Sequence, residues 1–240
     1  MAVAGGRRPG RTFLDLHCHT SASFDSLASP RAVVRAAASR GLTHLAITDH
    51  DRIDGAFEAR DIAATEGLPL TVLVGQEIRT RAGDLIGIFL ERPIPSGLGA
   101  FEAIEEIRAQ GGLVGIPHPF DRFRGSLLGG GTVDGLAPLV DWVESHNARI
   151  MIGNGNQRAA EFAAEHQLPG VAVSDAHSVL EIGVAYVALD GNPSTPAGLR
   201  AALATAELIT GRATVFVRAV TPIAKLVQRA RGNGRTASVQ

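Results

Sequence analysis

Cysteine is almost absent from this sequence: Cys18 stands alone, so no disulfide can form within the chain. A reducing, cytoplasmic setting fits. Aromatic residues are scarce as well, at 5% of the chain, so any core must rest on Ala, Val, Leu and Ile. No apolar run approaches the roughly 18 residues a membrane span requires, and no membrane partner is expected. The first residues, Met1 to Arg11, supply Gly, Pro and Arg but no hydrophobic signal core. No sign of charge dominates either. The formal net charge of -1 argues against a general nucleic-acid coat, and no stable nucleic-acid complex is expected, although a local basic patch could grip a few phosphates. Lysine is missing except for Lys225. There is no internal repeat and no glycine-rich phosphate loop of the P-loop or dinucleotide type.

What remains is enough for a globular domain. The 240 residues, 45% of them apolar, suit one domain with a full core. The elements alternate. A strand is expected at Thr12–His17, then a helix capped by Ser29 and opened by Pro30 that stops near Gly41. A strand at Leu45–Thr48, a helix at about Gly55–Glu66 and a strand at Leu70–Glu77 follow. After a turn at Arg79–Gly83, a strand should return over Asp84–Leu90. Phe101–Ala109 reads as an amphipathic helix with Phe101, Ile104 and Ile107 on its buried face. Strands are expected at Leu113–Ile116, Leu139–Val143, Val171–Val173 and Val184–Leu189, with helices at Gln157–Glu165 and Pro196–Ala206. Gly125–Gly135 reads as a mobile loop. Strand–helix alternation implies parallel βαβ units, and about seven strands in one domain suggest a barrel, with an open doubly wound sheet as the alternative.

The chemistry lies in where the histidines fall. Of eight, five sit immediately beyond expected strands with acids close by: His17, His19, His50, His118 and His177. Glu77 ends the third strand, and Asp175 precedes His177 by two residues. In a parallel barrel the C-terminal strand ends share one rim, and residues two apart on an extended segment point the same way. One such histidine is ordinarily a hydrogen-bonding residue; five beside acids form a pattern. Imidazole and carboxylate ligands suit Zn, Mn and Fe. A single ion needs about four protein ligands at most, so more than one ion is implied. His44 and His166 read as structural; the sequence leaves His146 open.

These motifs resemble those of the PHP family, named for polymerase and histidinol phosphatase. The resemblance rests on Asp15-Leu16-His17-Cys18-His19-Thr20-Ser21, Thr48-Asp49-His50-Asp51, Gly75-Gln76-Glu77-Ile78, Pro117-His118-Pro119-Phe120 and Ser174-Asp175-Ala176-His177. Order and spacing agree from about residue 12 to 218. It implies one PHP domain over 12–218, with 1–11 and 229–240 as flexible tails. It implies a distorted (β/α)7 barrel and a site for two or three divalent ions. Carried over by position, His17, His19, Glu77 and Asp175 would hold one ion. Glu77 would bridge to a second with His118, and Asp25, His50 and His177 would hold a third. Where many members have a histidine after the third strand, this sequence has Asp84, either a substitute ligand or a turn residue. Cys18, between two ligands, should point into the barrel. The stretch Val143–Arg149 resembles one that lines the family's site. It makes Asn147 and Arg149 candidates for substrate binding, Arg149 as a phosphate clamp that leaves the metal alone; Arg122, near His118, is a further candidate.

The implied activity is metal-dependent phosphoesterase chemistry. Metal coordination lowers the pKa of water to about 7 in favourable sites, so a metal-bound hydroxide is expected to attack phosphorus in line. Asp49 or Asp175 would orient ligands or move a proton. A small phosphate ester is the expected substrate, of a nucleotide, sugar or amino alcohol, or else a short oligonucleotide. One rival is a barrel hydrolase of amidohydrolase type, which normally needs a carboxylated lysine; Lys225 is far from the strand ends that carry the motifs. The other is a non-enzymatic metal-binding module, whose mark would be lost ligands, and here the set is nearly complete.

Overall fold

The computed structural model describes residues 10–121, 132–214 and 220–234. Nine strands form one sheet: β1 (Arg11–Asp15), β2 (His44–Ile47), β3 (Thr71–Arg79), β4 (Asp84–Ile88), β5 (Leu113–Ile116), β6 (Trp142–Asn147), β7 (Gly170–Val173), β8 (Tyr186–Asp190) and β9 (Glu207–Ile209). Their order is β7-β6-β5-β4-β3-β2-β1-β8-β9. The helices are α1 (Pro30–Ser39), α2 (Asp54–Thr65), α3 (Ala100–Ala109), α4 (Thr132–Leu136), α5 (Gly155–Glu165), α6 (Pro196–Leu203) and α7 (Val220–Ala230).

The expected barrel is present and almost closed. β1–β2, β2–β3, β5–β6 and β6–β7 pair in parallel, while β4 runs antiparallel to both β3 and β5. β1, β2, β3, β5, β6 and β7 therefore share one direction, and their C-terminal ends share one rim. β4 runs the other way, so its first residue, Asp84, arrives at that same rim. β8 pairs antiparallel with Arg11–Leu14 of β1. Beyond Asp15 the chain leaves β8 and meets the extension of β7. Cys18 bridges Ala176, the His19 N–H donates to the Ala176 carbonyl at 2.8 Å, and the Ser174 N–H donates to Asp15 Oδ1 at 3.1 Å. The closure is made at the rim that carries the motifs.

Local chemistry explains most of the boundaries. Ser29 Oγ caps α1 by accepting from the Ala32 N–H, Pro30 opens the helix, and Gly41, at φ +86°, turns the chain after it. Two apolar sets pack on either side of the sheet. One joins Phe13, Leu45, Ile47, Val72 and Val74 to the helices; the other joins Leu14, Ala46, Leu73, Ile86, Leu113 and Trp142 to Leu199, Ala202 and Leu203 of α6.

Several local expectations change. Phe101 is 56% exposed, because the buried face of α3 is Ala100, Ala103, Ile104 and Ile107, in the i, i+3, i+4, i+7 pattern. Within the expected glycine-rich loop, Thr132–Leu136 forms α4, anchored by buried Val133 and Leu136; residues 125–131 lie outside the described residues. β6 begins at Trp142 rather than Leu139, because Ala137–Leu139 forms a 3-10 turn around Pro138. β9 and α7 were not foreseen. Among the edges of the expected tails, Arg11 lies in β1 and pairs with Glu207, and Asn233, just past α7, donates to the Ser21 and Ala22 carbonyls.

Gly115 shows how closely the barrel is filled. It pairs in register with Trp142, and a Cβ built on it would lie 2.2 Å from Cε2 of that fully buried indole. Gly115→Ala should destabilise the protein by about 1–3 kcal/mol through overpacking, several degrees in Tm at this chain length. Thermal denaturation of Gly115→Ala, Trp142→Phe and the double variant checks this. The double variant should lose less than the sum of the two, and strict additivity would rule out the clash.

Candidate metal centre

The rim gathers side chains that are far apart in the chain. The segment after β1 brings His17, His19 and Asp25, and the end of β2 brings His50. β3 brings Glu77, β5 leads to His118, β7 leads to Asp175 and His177, and reversed β4 opens on Asp84. All are buried except His50, which is half-buried. Three groups of ligand atoms result, in each of which the atoms lie within 4.8 Å of one another: His17, His19 and Glu77; Glu77, Asp84 and His118; His19, Asp25, His50 and His177. Glu77 belongs to two groups and so does His19. Asp175 Oδ1 stands between them, 3.7 Å from His17 Nε2, 3.5 Å from His19 Nε2 and 3.4 Å from His177 Nδ1. Asp84, the first residue of β4, lies with Glu77 and His118 at the rim.

Hydrogen bonds behind the cluster aim its nitrogens. Glu144 Oε1 lies 2.6 Å from His17 Nδ1, leaving Nε2 to face the cluster. Glu144 Oε2 accepts from the His118 N–H and from Asn147 Nδ2, both at 2.9 Å. His177 Nδ1 is 2.9 Å from the Asp175 carbonyl oxygen. A carbonyl only accepts, so Nδ1 carries the proton and Nε2 is left to face Asp25 at 3.3 Å. The His177 N–H donates to Glu181 Oε2 at 3.0 Å. His118 and Asp175 hold positive φ, +28° and +51°. Such backbone strain persists in non-glycine residues where the surroundings over-determine it.

Electrostatics test whether cations fit. Burial opposes charge on His17, yet Glu144, Asp175 and Glu77 raise its pKa well above the usual value. Burial likewise opposes charge on His50, but Glu77 and Asp25 push it to about 10. His19, buried and facing His177, falls to about 3. Burial works to raise the Asp25 carboxyl, while His177 and His50 hold it well below the carboxylate range. The acids thus demand positive charge that neighbouring imidazoles can supply only by competing for protons. His17 Nε2 and His19 Nε2 approach to 2.9 Å, and among the described residues the buried Nδ1 atoms of His19 and His118 find no hydrogen-bond partner. Converging nitrogens, shared carboxylates and the absence of thiolate suit divalent Mn, Fe or Zn.

Other expected residues are placed differently. Asn147 is fully buried and gives its amide to Glu144 and to Asp175 Oδ2, at 2.9 and 3.0 Å. Through these bonds it holds the Asp175 carboxylate at the rim. Arg149 is also buried, its Nε 3.3 Å from Glu181 Oε1 and its Nη2 2.6 Å from Thr221 Oγ1. Through Glu181 it supports the peptide of His177, so it is not independent of the metal ligands. Asp49 is fully buried and spends both oxygens on Thr20, at 2.6 Å from its N–H and 2.7 Å from its hydroxyl. Despite these bonds, burial raises its carboxyl to about 6. Through these two bonds Asp49 fixes the loop after His19. Arg122 lies outside the described residues. Cys18 packs with Val33, Val34 and Ile47 in the apolar set that joins the sheet to the helices, not inside the barrel as expected. His44 bonds Ser194 at 2.9 Å, His166 faces Asp134 at 3.4 Å and His146 faces the Gly211 carbonyl at 2.8 Å, all structural roles.

Sequence reasoning missed Glu144 and Glu181. A signal existed for the first: an acid inside the apolar strand Trp142-Val143-Glu144 must be paired when buried.

The comparisons agree with this geometry. A model of the PHP domain matches residues 15–113, and a model of a PHP-associated region matches residues 153–208. An uncharacterised protein of Methanocaldococcus jannaschii is 32% identical over 177 residues, 72% of this chain and 69% of that protein. A 3',5'-nucleoside bisphosphate phosphatase of Chromobacterium violaceum is 33% identical over 101 residues, 40% of this chain and 34% of that protein. A solved two-domain protein from Bacteroides vulgatus, containing a predicted PHP-like metal-dependent phosphoesterase, superposes with TM-score 0.72 at 18% identity, over 88% of this chain and 68% of that one. The lesion-specific endonuclease PfuEndoQ from Pyrococcus furiosus superposes with TM-score 0.60 at 18% identity, over 82% of this chain and 57% of that one. With one model spanning the strands that assemble His17, His19, His50 and Glu77, and the other spanning those that bring Asp175 and His177 to them, this chain belongs to the PHP family of metal-dependent phosphoesterases.

Proposed function

We propose that the rim cluster holds two or three divalent ions, of Mn, Fe or Zn, and hydrolyses a phosphate ester of a nucleotide or short oligonucleotide. The observation that carries this reading is the sharing of Glu77 and His19 among three ligand groups. One isolated ion has no use for so many donors. His17, His19, Glu77 and Asp175 would hold the first ion; Glu77, His118 and Asp84 the second; Asp25, His50 and His177, with His19, the third. Bound ions would polarise phosphoryl oxygens and make water nucleophilic at neutral pH. The protein's own share is to hold geometry. Glu144 fixes the ring of His17 and the backbone of His118, and Asn147 fixes Asp175. Arg149 would offset phosphate charge with the guanidinium donors that Glu181 and Thr221 leave over. The nucleotide assignment is supported by relatives named for such substrates: the phosphatase above, and a 5'-3' exoribonuclease of Haemophilus influenzae, 32% identical over 119 residues, 45% of this chain and 42% of that protein. Hydrolysis rates on p-nitrophenyl phosphate, a nucleoside 3',5'-bisphosphate and a 5'-phosphorylated oligonucleotide, each with Mn, Fe and Zn, test the reading. No hydrolysis by a metal-replete protein on any of them would sink it.

Two substitutions separate the parts of the site. Glu77→Gln keeps the size of the side chain but removes charge from two ligand groups. It should abolish turnover and lower metal content by more than one ion per chain, whereas Asp84→Asn should cost at most one. Elemental analysis alongside steady-state kinetics decides, and the reverse ranking would displace Glu77 as the bridge.

Arg149→Ala should lower kcat/KM by roughly one to three orders of magnitude, the range for losing one charge-stabilising donor. Because Arg149 braces Glu181, metal content should fall as well. Arg149→Lys should recover part of the activity, since it keeps the charge without the planar fork. Wild-type kinetics in the alanine variant would remove Arg149 from the site.

A further inference from the structure

Helix α7 supplies none of the clustered histidines and acids, yet one of its residues is buried against the loop that carries Asp25. Gln228 is 2% exposed, and its Nε2 lies 2.7, 3.1 and 2.7 Å from the carbonyl oxygens of Ser21, Ser23 and Ser26. The loop's internal bonds, Ser21 N–H to the Ala28 carbonyl at 2.7 Å and Ser23 N–H to the Thr20 carbonyl at 3.0 Å, leave those oxygens to be met from outside. A buried carbonyl needs a donor, and one amide group serves all three. Asn233, just past the helix, donates to the Ser21 and Ala22 carbonyls at 3.2 and 3.1 Å. At the other end of α7, Thr221 holds Arg149, which faces Glu181, which in turn holds the His177 peptide.

The helix therefore contacts both loops whose ligands meet: Asp25 Oδ2 stands 3.3 Å from His177 Nε2 and 3.3 Å from His50 Nε2. Ser23 and Ser26 tie the same loop inward. Ser23 Oγ donates to Asp25 Oδ1 at 2.9 Å and Ser26 Oγ to the His177 carbonyl at 3.0 Å. A ligand must be held to within about half an ångström to bind well. Where Asp25 stands is thus set partly by an amide some 200 residues away, on a helix the motifs do not include.

We propose that Gln228 is a positioning residue for the third metal position, acting through the 21–26 loop on Asp25. This rests on reading the cluster as a metal centre. The test is Mn2+ uptake by the full chain, measured by equilibrium dialysis with elemental analysis, on protein shown to be folded by circular dichroism. In Gln228→Ala and Gln228→Glu, one ion per chain should bind about 10–100-fold more weakly, the usual effect of removing an outer partner of a ligand, while the others bind as before. Glutamate keeps the size and loses the donors, which separates hydrogen bonding from packing. Leu226→Ala, on the 71% exposed side of α7, should bind as wild type does. A folded Gln228→Ala chain with wild-type count and affinity overturns the proposal. If that variant does not fold, Asn233→Ala decides: weaker binding of one ion supports the proposal and unchanged binding overturns it. Wild-type protein that takes up no Mn2+ overturns the metal reading itself, a result visible in the parent chain before any substitution is made.

Discussion

One carboxylate, that of Glu77, stands among four imidazoles. Its Oε1 is 3.1 Å from His118 Nε2, and its Oε2 is 3.3 Å from His17 Nε2, 3.4 Å from His19 Nε2 and 3.2 Å from His50 Nδ1. A buried charge so placed is costly unless it is matched on every side. Much of the architecture is the means of matching it. Three separate strand ends, those of β1, β2 and β5, must deliver those rings to β3, and a closed sheet with a common rim does that. The Cys18–Ala176 and His50–Glu77 bridges continue the sheet past its regular strands, so the ligands stand on hydrogen-bonded backbone rather than on free loops. Loops held this way keep ligand geometry at little entropic cost.

Around the clustered histidines and acids runs a layer of buried polar groups. Glu144, Asn147 and Glu181 are each almost fully buried, and each bonds either a ligand's ring, its carboxylate or its peptide. Asp15 belongs with them. It accepts from the Ser174 and His17 N–H groups, and burial raises its carboxyl to about 7. Removing one partner of such a bond leaves the other buried and unsatisfied, which costs about 1–3 kcal/mol, so this layer acts on stability and metal geometry together. The positive φ values of His118 and Asp175 are held by the same bonds.

The reversal of β4 brings one more acid to the rim. In a strictly parallel barrel the residue opening a strand lies at the opposite end from the site. Because β4 runs back between β3 and β5, Asp84 opens its strand at the rim and meets Glu77 and His118.

The sequence by itself determined a great deal. Histidines placed two apart or just past short apolar runs, with acids beside them, marked the metal-type ligands, because their residue types and strand-end positions are local properties. The alternation of strands and helices and the caps at Ser29–Pro30 were legible for the same reason. Only tertiary structure decided what depends on pairing across the sheet or on distant contacts. It placed Asp84 beside Glu77 and His118 at the rim, and it buried Asn147 against Glu144 and Asp175 and Asp49 against Thr20. It turned Arg149 toward Glu181, and it seated Gln228 of α7 against the loop of Asp25. None of these has a local signature. An acid at a turn, an amide in a strand and a glutamine in a helix are compatible with solvent until the fold removes the water, and which partner then satisfies them is fixed by chain segments many tens of residues away.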